Sequence, residues 1–272
     1  MGIDITRTRI ELKYLIPPEM IDEIVVRIPA DERQEYHVTT IYFDSPDGAL
    51  SHMALENPYR CAKVRAREYL DGSSHVWFEV KSRTGAWTRK WRFCVEKADV
   101  ASLLAGGFEI NCDSLRAGPG TSEAEMEEAR RCLETAAHGR LQPLGAVYAH
   151  RRTFELGEMP IRFTLDEQIS YYRPPAGLWA AHATLTPDVL GTPLHREPKA
   201  LLELKHAGEE PLWCSRIVAA LTVSAYSKFR TLMQVVEDSR RVVGCGSPAR
   251  ESTEAARPPS RSGSRSGSAS AA

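Results

Sequence analysis

The feature that most constrains this chain is a period-two alternation, repeated on strand after strand, in which one parity is apolar and the other is almost purely ionic. In residues 6–16 the even positions read Thr8, Ile10, Leu12, Tyr14 and Ile16, and the odd ones Arg7, Arg9, Glu11 and Lys13. Val64 and Ala66 oppose Lys63, Arg65 and Arg67; Val76, Phe78 and Val80 oppose Glu79, Lys81 and Arg83; Trp91, Phe93 and Val95 oppose Lys90 and Arg92. Further on, Ile161, Phe163 and Leu165 oppose Arg162, Thr164 and Asp166, and Leu202 and Leu204 oppose Glu203 and Lys205. Side chains two residues apart share a strand face, so each segment predicts a strand with two unlike sides. An ordinary wet sheet face mixes Ser, Thr, Gln, Glu and Lys. Here Arg and Lys dominate with isolated Glu, although the whole chain carries a net charge of -1.

Cations crowded on adjacent strands repel one another, and a polyanion lying across them relieves that repulsion. Closing the sheet into a barrel turns the field inward and focuses it. The expected ligand is phosphate-rich, because the Arg fork and the Lys point charge both form charge-assisted bonds to phosphate oxygens. A carboxylate on such a face needs its own reason. Glu79 is expected as an ion-pair partner of its neighbours. Glu11 and Glu203 either pair with cations or face the phosphates through a divalent ion, Mg²⁺ or Mn²⁺, held by carboxylate and phosphate oxygens.

Helical signals interrupt the strands. Pro17-Pro18 opens a short helix to Arg27 with Ile21, Ile24, Val25 and Ile28 on one side. Others are expected at about 97–104, at 121–138 with acids at its N-terminus, and continuously over 211–243. The Pro-rich stretch 174–199 has no clear period and is expected as an extended loop or lid. The body is taken as one domain, 1–245, and 246–272 as a disordered Ser/Gly/Arg/Pro-rich tail. In that tail Arg250, Arg257, Arg261 and Arg265 outweigh Glu251 and Glu254.

No run approaches the roughly 18 apolar residues of a membrane span, and the first residues lack a secretory or transit profile, so the expected address is cytoplasmic. The six cysteines lie far apart without metal-ligand spacing and are read as reduced and structural. His37, His150 and His206 are read as structural, and the five tryptophans mostly as core or loop packing, with stacking toward an adenine as the less favoured alternative. No specific nucleic-acid partner is indicated.

Read in order, the ionic segments resemble a known family. Arg9-Ile-Glu11-Leu-Lys13-Tyr14 is similar to the opening strand of the triphosphate tunnel metalloenzymes, in the form found in the VTC (polyphosphate polymerase) domain. Thr40-Ile-Tyr42-Phe43-Asp44-Ser45, Lys63-Val-Arg65-Ala-Arg67 and Phe78-Glu79-Val-Lys81 follow in the family's order. Lys90-Trp-Arg92-Phe93, Arg151 before Phe154, Arg162-Phe-Thr164-Leu-Asp166, Glu203-Leu-Lys205 and Ser227-Lys228-Phe229 complete it over about 5–235.

The resemblance implies an α+β fold, an antiparallel β-barrel (triphosphate tunnel) with flanking helices. It also implies a divalent metal bridging a glutamate to the phosphates, and transfer of a nucleotide's terminal phosphate onto polyphosphate. On this match Lys13, Arg65, Arg67, Lys81, Lys90, Arg151, Arg162 and Lys228 would bind the phosphates of ATP, triphosphate or polyphosphate. Arg9, Arg83, Arg92 and Lys205 would add contacts to the bound ligand, and Glu203, with Glu11, would hold Mn²⁺ or Mg²⁺. Many VTC domains have His where this chain has Arg83, which cannot titrate near neutrality. The chain carries no accompanying SPX-type or membrane segment, so a stand-alone form is expected. A triphosphatase or polyphosphatase on the same barrel, or a non-catalytic polyanion-binding module, are the alternatives.

Overall fold

The computed structural model describes residues 9–57, 59–85, 87–100, 110–111, 122–138, 140–157, 160–179 and 184–244. Its centre is an antiparallel sheet built from β1 (Arg9–Ile16), β2 (Glu32–Asp44), β3 (Arg60–Tyr69), β4 (His75–Thr84), β5 (Trp87–Glu96), β7 (Arg140–Glu155), β8 (Arg162–Tyr172) and β10 (Ala200–Ala207). The hydrogen-bonded order is β1-β10-β8-β7-β2-β3-β4-β5. Two short strands, β6 (Ile110–Asn111) and β9 (His195–Arg196), pair with β7 and β8.

The sheet is curled and barrel-like but not closed between β5 and β1. Its curl brings Lys13 of β1 within electrostatic reach of Tyr42 and Lys63, although β10, β8 and β7 lie between β1 and β2 in the sheet. The free edge of β1 is met by the chain at 223–224: Val223 bridges Tyr14, and the Ser224 amide donates to the Lys13 carbonyl at 2.7 Å. An otherwise unpaired strand edge is thereby partly covered.

The alternation read from the sequence decides which face is core. The outward parities of β2 to β5, among them Ile41, Phe43, Val64, Phe78, Val80 and Phe93, are buried against α2 (Ala49–Glu56) and α3 (Glu123–Ala137). On the other flank Tyr14, Ile16, Phe163, Leu165, Leu202 and Leu204 bury against α1 (Ile21–Arg27) and α5 (Leu212–Val218). Helix α3 starts with a capping box, in which the Ser122 side chain and the Glu125 carboxylate satisfy each other's backbone amides. Asp44 is buried and accepts from the amides of Ser45 and Leu50, at 2.8 and 3.0 Å, anchoring the entry to α2. The Asp-Ser pair of the sequence signature therefore acts on backbone.

One end of the concave face is plugged by α6 (Lys228–Gly244), whose Phe229, Leu232, Met233 and Val236 pack on Val38, Tyr42, Val147, Ala149 and Tyr171. Gly145 permits this approach: a Cβ there would stand 2.7 Å from a Leu232 methyl and 3.0 Å from the Tyr172 carbonyl. Two expectations are corrected. The continuous helix expected over 211–243 is two helices, α5 and α6, because the intervening Leu221-Thr-Val-Ser-Ala stretch pairs along β1 instead of coiling. The stretch expected as a loop or lid is packed down: Leu178, Trp179, Leu185 and Leu190 are buried, and a short helix α4 (Pro187–Leu190) forms within it. Glu68 fastens it by accepting from the Trp179 indole at 2.8 Å and the Leu185 amide at 3.0 Å. The helix expected at 97–104 is present over 97–100; its remainder and the proposed tail lie outside the described residues.

Candidate anion tunnel

On the concave face, the register sets the ionic side chains side by side. Arg65 pairs with Tyr42 on one side and Glu79 on the other, and Glu79 with Arg92. Thr40, Arg67 and Trp77 form the row on one side of this one, and Lys63, Lys81 and Lys90 the row on the other. Across the sheet, Arg151 pairs with Tyr36 and Asp166, Lys13 with Glu203, and Glu11 with Lys205.

Three carboxylates organise these cations. Glu79 is buried and lies 2.6 Å from Arg65, 2.8 Å from Lys90 and 3.6 Å from both Arg67 and Arg92. Burial alone would raise its pKa, but Arg65, Arg67 and Lys90 outweigh burial and hold the carboxyl far below the usual range. Asp166 is fully buried; it takes a two-pronged bond from Arg151 at 2.5 and 2.7 Å and a further bond from Lys228. It too is held ionised against burial by those cations. Glu203 lies 3.0 Å from Lys205 and 3.6 Å from Lys13, and its pKa is lowered because Lys205, Lys228, Lys13 and Arg151 together overcome desolvation.

The cations outnumber these partners. Lys63 and Lys81 stand directly opposite each other, and Lys81 opposite Lys90, with only Lys90 reaching Glu79. Like charges in register destabilise a sheet. Burial, with Lys13 and Lys81 nearby, depresses the Lys63 pKa, and its ammonium rests 5.4 Å above the Phe229 ring. The Arg67 Nε is buried without a hydrogen-bond partner, although a buried donor is normally satisfied. Tyr42 is buried among these groups; Arg65, Arg67 and Lys228 lower its pKa against the effect of burial, and Arg65 donates to its hydroxyl.

Other residues singled out from sequence stand at the margins. Arg162 shares the face but pairs with Glu155 at 3.1 Å, both half-exposed. Arg83 donates to the Gly85 carbonyl at 3.1 Å and lies over the Tyr59 ring. Arg9 is on β1, but its side chain lies outside the described residues. The histidines face away from the tunnel: His37 bonds Tyr148 at 2.7 Å, His150 meets Glu35 at 2.8 Å, and His206 is buried beside the Gly208 carbonyl. Cys61, Cys94, Cys132 and Cys214 are free thiols, and burial pushes Cys214 up to about 12. Asp166, Tyr42 and Lys63 join the site beyond the residues expected from sequence: strand parity places Asp166 and Lys63 on the ionic face, and Tyr42 is brought there by its pairing with Arg65.

The metal expectation can be tested on donor chemistry. Glu11 and Glu203 both direct a carboxylate oxygen at the Lys13 ammonium, at 3.2 and 3.6 Å. Two hard oxygen donors aimed at one cation suit a hard divalent ion. Among the described residues no group of three or more His, Cys, Asp or Glu converges to enclose one, so ligand and water oxygens would complete its shell.

These features define a curled, barrel-like antiparallel fold with a cation-rich concave face and outward apolar cores. The VTC domain family model matches residues 8–237, and the chain belongs to that family. A search of curated proteins finds no match. Among solved structures, a putative adenylyl cyclase from Hippeastrum, HpAC1, described as having a dominant triphosphatase activity, is 15% identical with a TM-score of 0.50. That alignment covers 84% of this chain and 96% of the other. A putative adenylate cyclase from Bacillus halodurans is 14% identical with a TM-score of 0.43, over 90% and 94% of the two chains. The shared fold is the triphosphate tunnel fold. Among the described residues no helix is long and apolar enough to cross a membrane.

Proposed function

We propose that this chain is a metal-dependent phosphotransferase of the polyphosphate polymerase type, which binds triphosphate, ATP or polyphosphate along the concave face and transfers a terminal phosphate to a polyphosphate chain. The observation that carries this reading is the row Lys63, Lys81 and Lys90, three like charges in register with one of them reaching a carboxylate. Such a row is stable when an anion spans it. The orphaned Arg67 Nε, two rows away beyond Arg65, offers a further donor to an anion long enough to span the face.

Phosphoryl transfer asks chiefly for positioning and electrostatic stabilisation of charge spread over equatorial oxygens. Arg65, Arg67, Lys81 and Lys90 would grip phosphate oxygens from one wall, while Arg151 and Lys228, fixed by Asp166, would orient them from the other. A divalent ion at Glu203 and Glu11 would neutralise phosphate charge on the β1–β10 side. A terminal phosphate acceptor is already anionic, so transfer to it needs no general base. Family membership supports polymer synthesis. The triphosphatase activity described for HpAC1 supports hydrolysis as the second reading, with water in place of the acceptor phosphate. We place the chain in the cytoplasm.

Incubation with ATP and Mn²⁺, with long-chain and free phosphate measured separately, decides among them. Polymer growth is the expected result. Free phosphate alone would assign a hydrolase, and tight binding with neither product a polyanion-binding module.

A further inference from the structure

The tunnel face is not ionic throughout. At the end where β3 finishes and β4 begins, Tyr36, Tyr69 and Trp77 share the concave face with the phosphate-facing cations. They are half-buried, and Tyr36 and Tyr69 pack with one side against the apolar cluster around Phe229 and Leu232. Trp77 belongs to none of the three apolar clusters. The Arg92 guanidinium lies 4.1 Å from the Trp77 ring centroid and 5.9 Å from that of Tyr69, and donates to the Tyr69 hydroxyl at 3.3 Å. Tyr36 meets Tyr69 edge to face at 5.3 Å.

This group adjoins the anion site directly. Trp77 is the cross-strand partner of Arg67, Tyr36 is the partner of Arg151, and Arg92 approaches Glu79 at 3.6 Å. A ligand whose phosphates lie on Arg67 and Arg151 would therefore carry whatever is attached to its chain into an accessible set of rings and a planar cation. Inorganic triphosphate has nothing to place there. A nucleobase does: every base has a π-face, and stacking on aromatic and guanidinium planes binds it with little dependence on its hydrogen-bonding edge.

We propose that Tyr36, Tyr69, Trp77 and Arg92 form a nucleobase-stacking subsite at this end of the tunnel, so that the phosphate donor is a nucleoside triphosphate taken with little discrimination between bases. The proposal rests on the phosphate-binding reading of the tunnel. It assigns the rings a ligand-binding role in addition to packing.

The test compares ATP, GTP and inorganic tripolyphosphate as ligands of the full chain, by titration calorimetry at one fixed Mn²⁺ concentration. Trp77→Leu should weaken ATP and GTP alike by about tenfold, the scale of one lost stacking contact, and leave tripolyphosphate within about twofold. Trp77→Phe, which keeps a ring, should restore most of the loss. Tyr69→Leu, independent of the fold at Trp77, should again weaken the nucleotides selectively. Equal weakening of all three ligands would mean that Trp77 only steadies Arg92 for phosphate, and would overturn the subsite while leaving the tunnel reading intact. Unchanged nucleotide affinity in both Leu variants would also overturn it. Failure of the unaltered chain to bind any of the three would overturn the tunnel reading itself and the subsite with it.

Discussion

The two walls of the tunnel are charged on different plans. On the β3–β4–β5 wall, Arg65, Arg67, Lys90 and Arg92 converge on one carboxylate, Glu79, and Lys63 and Lys81 stand beside them without reaching it. On the β1–β10–β8 side, with Arg151 and Lys228, the carboxylates of Glu11, Glu203 and Asp166 nearly balance Lys13, Lys205, Arg151 and Lys228. The first wall is built with its neutralising charge missing; the second carries its own. An anionic chain therefore adds most electrostatic stability against the first wall. Against the second, carboxylates would repel it, and a divalent ion removes that repulsion.

The largest expected effect separates the walls by whether a ligand can replace a lost carboxylate. Asp166→Asn leaves Arg151 and Lys228 buried without the carboxylate they bond, with Glu203 the counter-charge still in electrostatic reach, and should cost about 3–5 kcal/mol of folding stability. Glu79→Gln removes the counter-charge of cations that are partly solvated, and should cost less, about 1–3 kcal/mol. Added tripolyphosphate should restore most of the melting temperature of Glu79→Gln and little of that of Asp166→Asn. Equal rescue of both variants would erase the distinction between the walls.

Second comes the metal side. Glu203→Gln should lower Mn²⁺- or Mg²⁺-dependent turnover by about a hundredfold or more while metal-free triphosphate binding holds or tightens, since a negative charge has left the tunnel. If Glu203 serves only as the partner of Lys205 and Lys13, the variant loses stability and keeps its metal titration. Turnover against metal concentration, alongside thermal melting, reads both quantities.

Much of this contrast was legible in the strand alternation. Parity alone puts Lys13, Arg65, Arg67, Lys81 and Glu203 on one face, because a strand offers two sides and the apolar parity must take the core. The alternation also placed Asp166 and Lys63 there, but a lone Asp in a strand does not announce that cations from other strands will close around it, and the strand that carries Tyr42 has no ionic parity to read. That information lies in the order β10-β8-β7-β2, which pairs distant segments. The break between α5 and α6 was hidden for a related reason. Residues 221–225 join β1 by pairing with Tyr14 and Lys13, and nothing local to them records that edge. The 174–199 stretch lacks a period because its buried residues follow the outer sheet surface and the Glu68 carboxylate instead of a regular element.

Third, Arg67→Ala tests the cation-surplus wall directly. Loss of charge-assisted bonds should weaken tripolyphosphate binding by about 1.5–3 kcal/mol. Folding stability should hold or rise: Arg67 meets Glu79 only at 3.6 Å, has an unpartnered Nε, and sits beside Arg65 and Arg151, which with burial lower its pKa. A large drop in melting temperature without loss of affinity would count against an anion site on that wall.

The carboxylates and the lysines of the tunnel answer pH at opposite ends of the scale, and each set spans both walls. Glu79, Asp166 and Glu203 have folded values below their ordinary ones, so their stabilisation is complete above the unfolded carboxylate range near pH 4 and is lost as pH falls through the lower folded values. Acid should therefore unfold the chain cooperatively, and tripolyphosphate should not prevent it. Lys63, Lys90 and Lys228 are shifted down from 10.5, chiefly by burial. Their charge is lost before that of an exposed lysine, so tripolyphosphate affinity should begin to fall below pH 10.5. Affinity that stays flat up to that pH would mean these ammonium groups do not contact the ligand.

The smallest expected effect belongs to Arg162, which separates sharing the ionic face from belonging to the site. Its register partners are Glu155 and Lys205, and its one ion pair, to Glu155, is half-exposed on both sides. Solvent-exposed pairs contribute under about 1 kcal/mol, and salt weakens them further. Arg162→Ala should change stability by less than that amount and tripolyphosphate affinity by less than the loss in Arg67→Ala, with any change fading as salt is raised. If affinity instead drops as far as in Arg67→Ala, the bound chain extends past Asp166 to the start of β8. The balanced wall would then hold phosphate along its whole length, and the division between the walls would be one of stability alone.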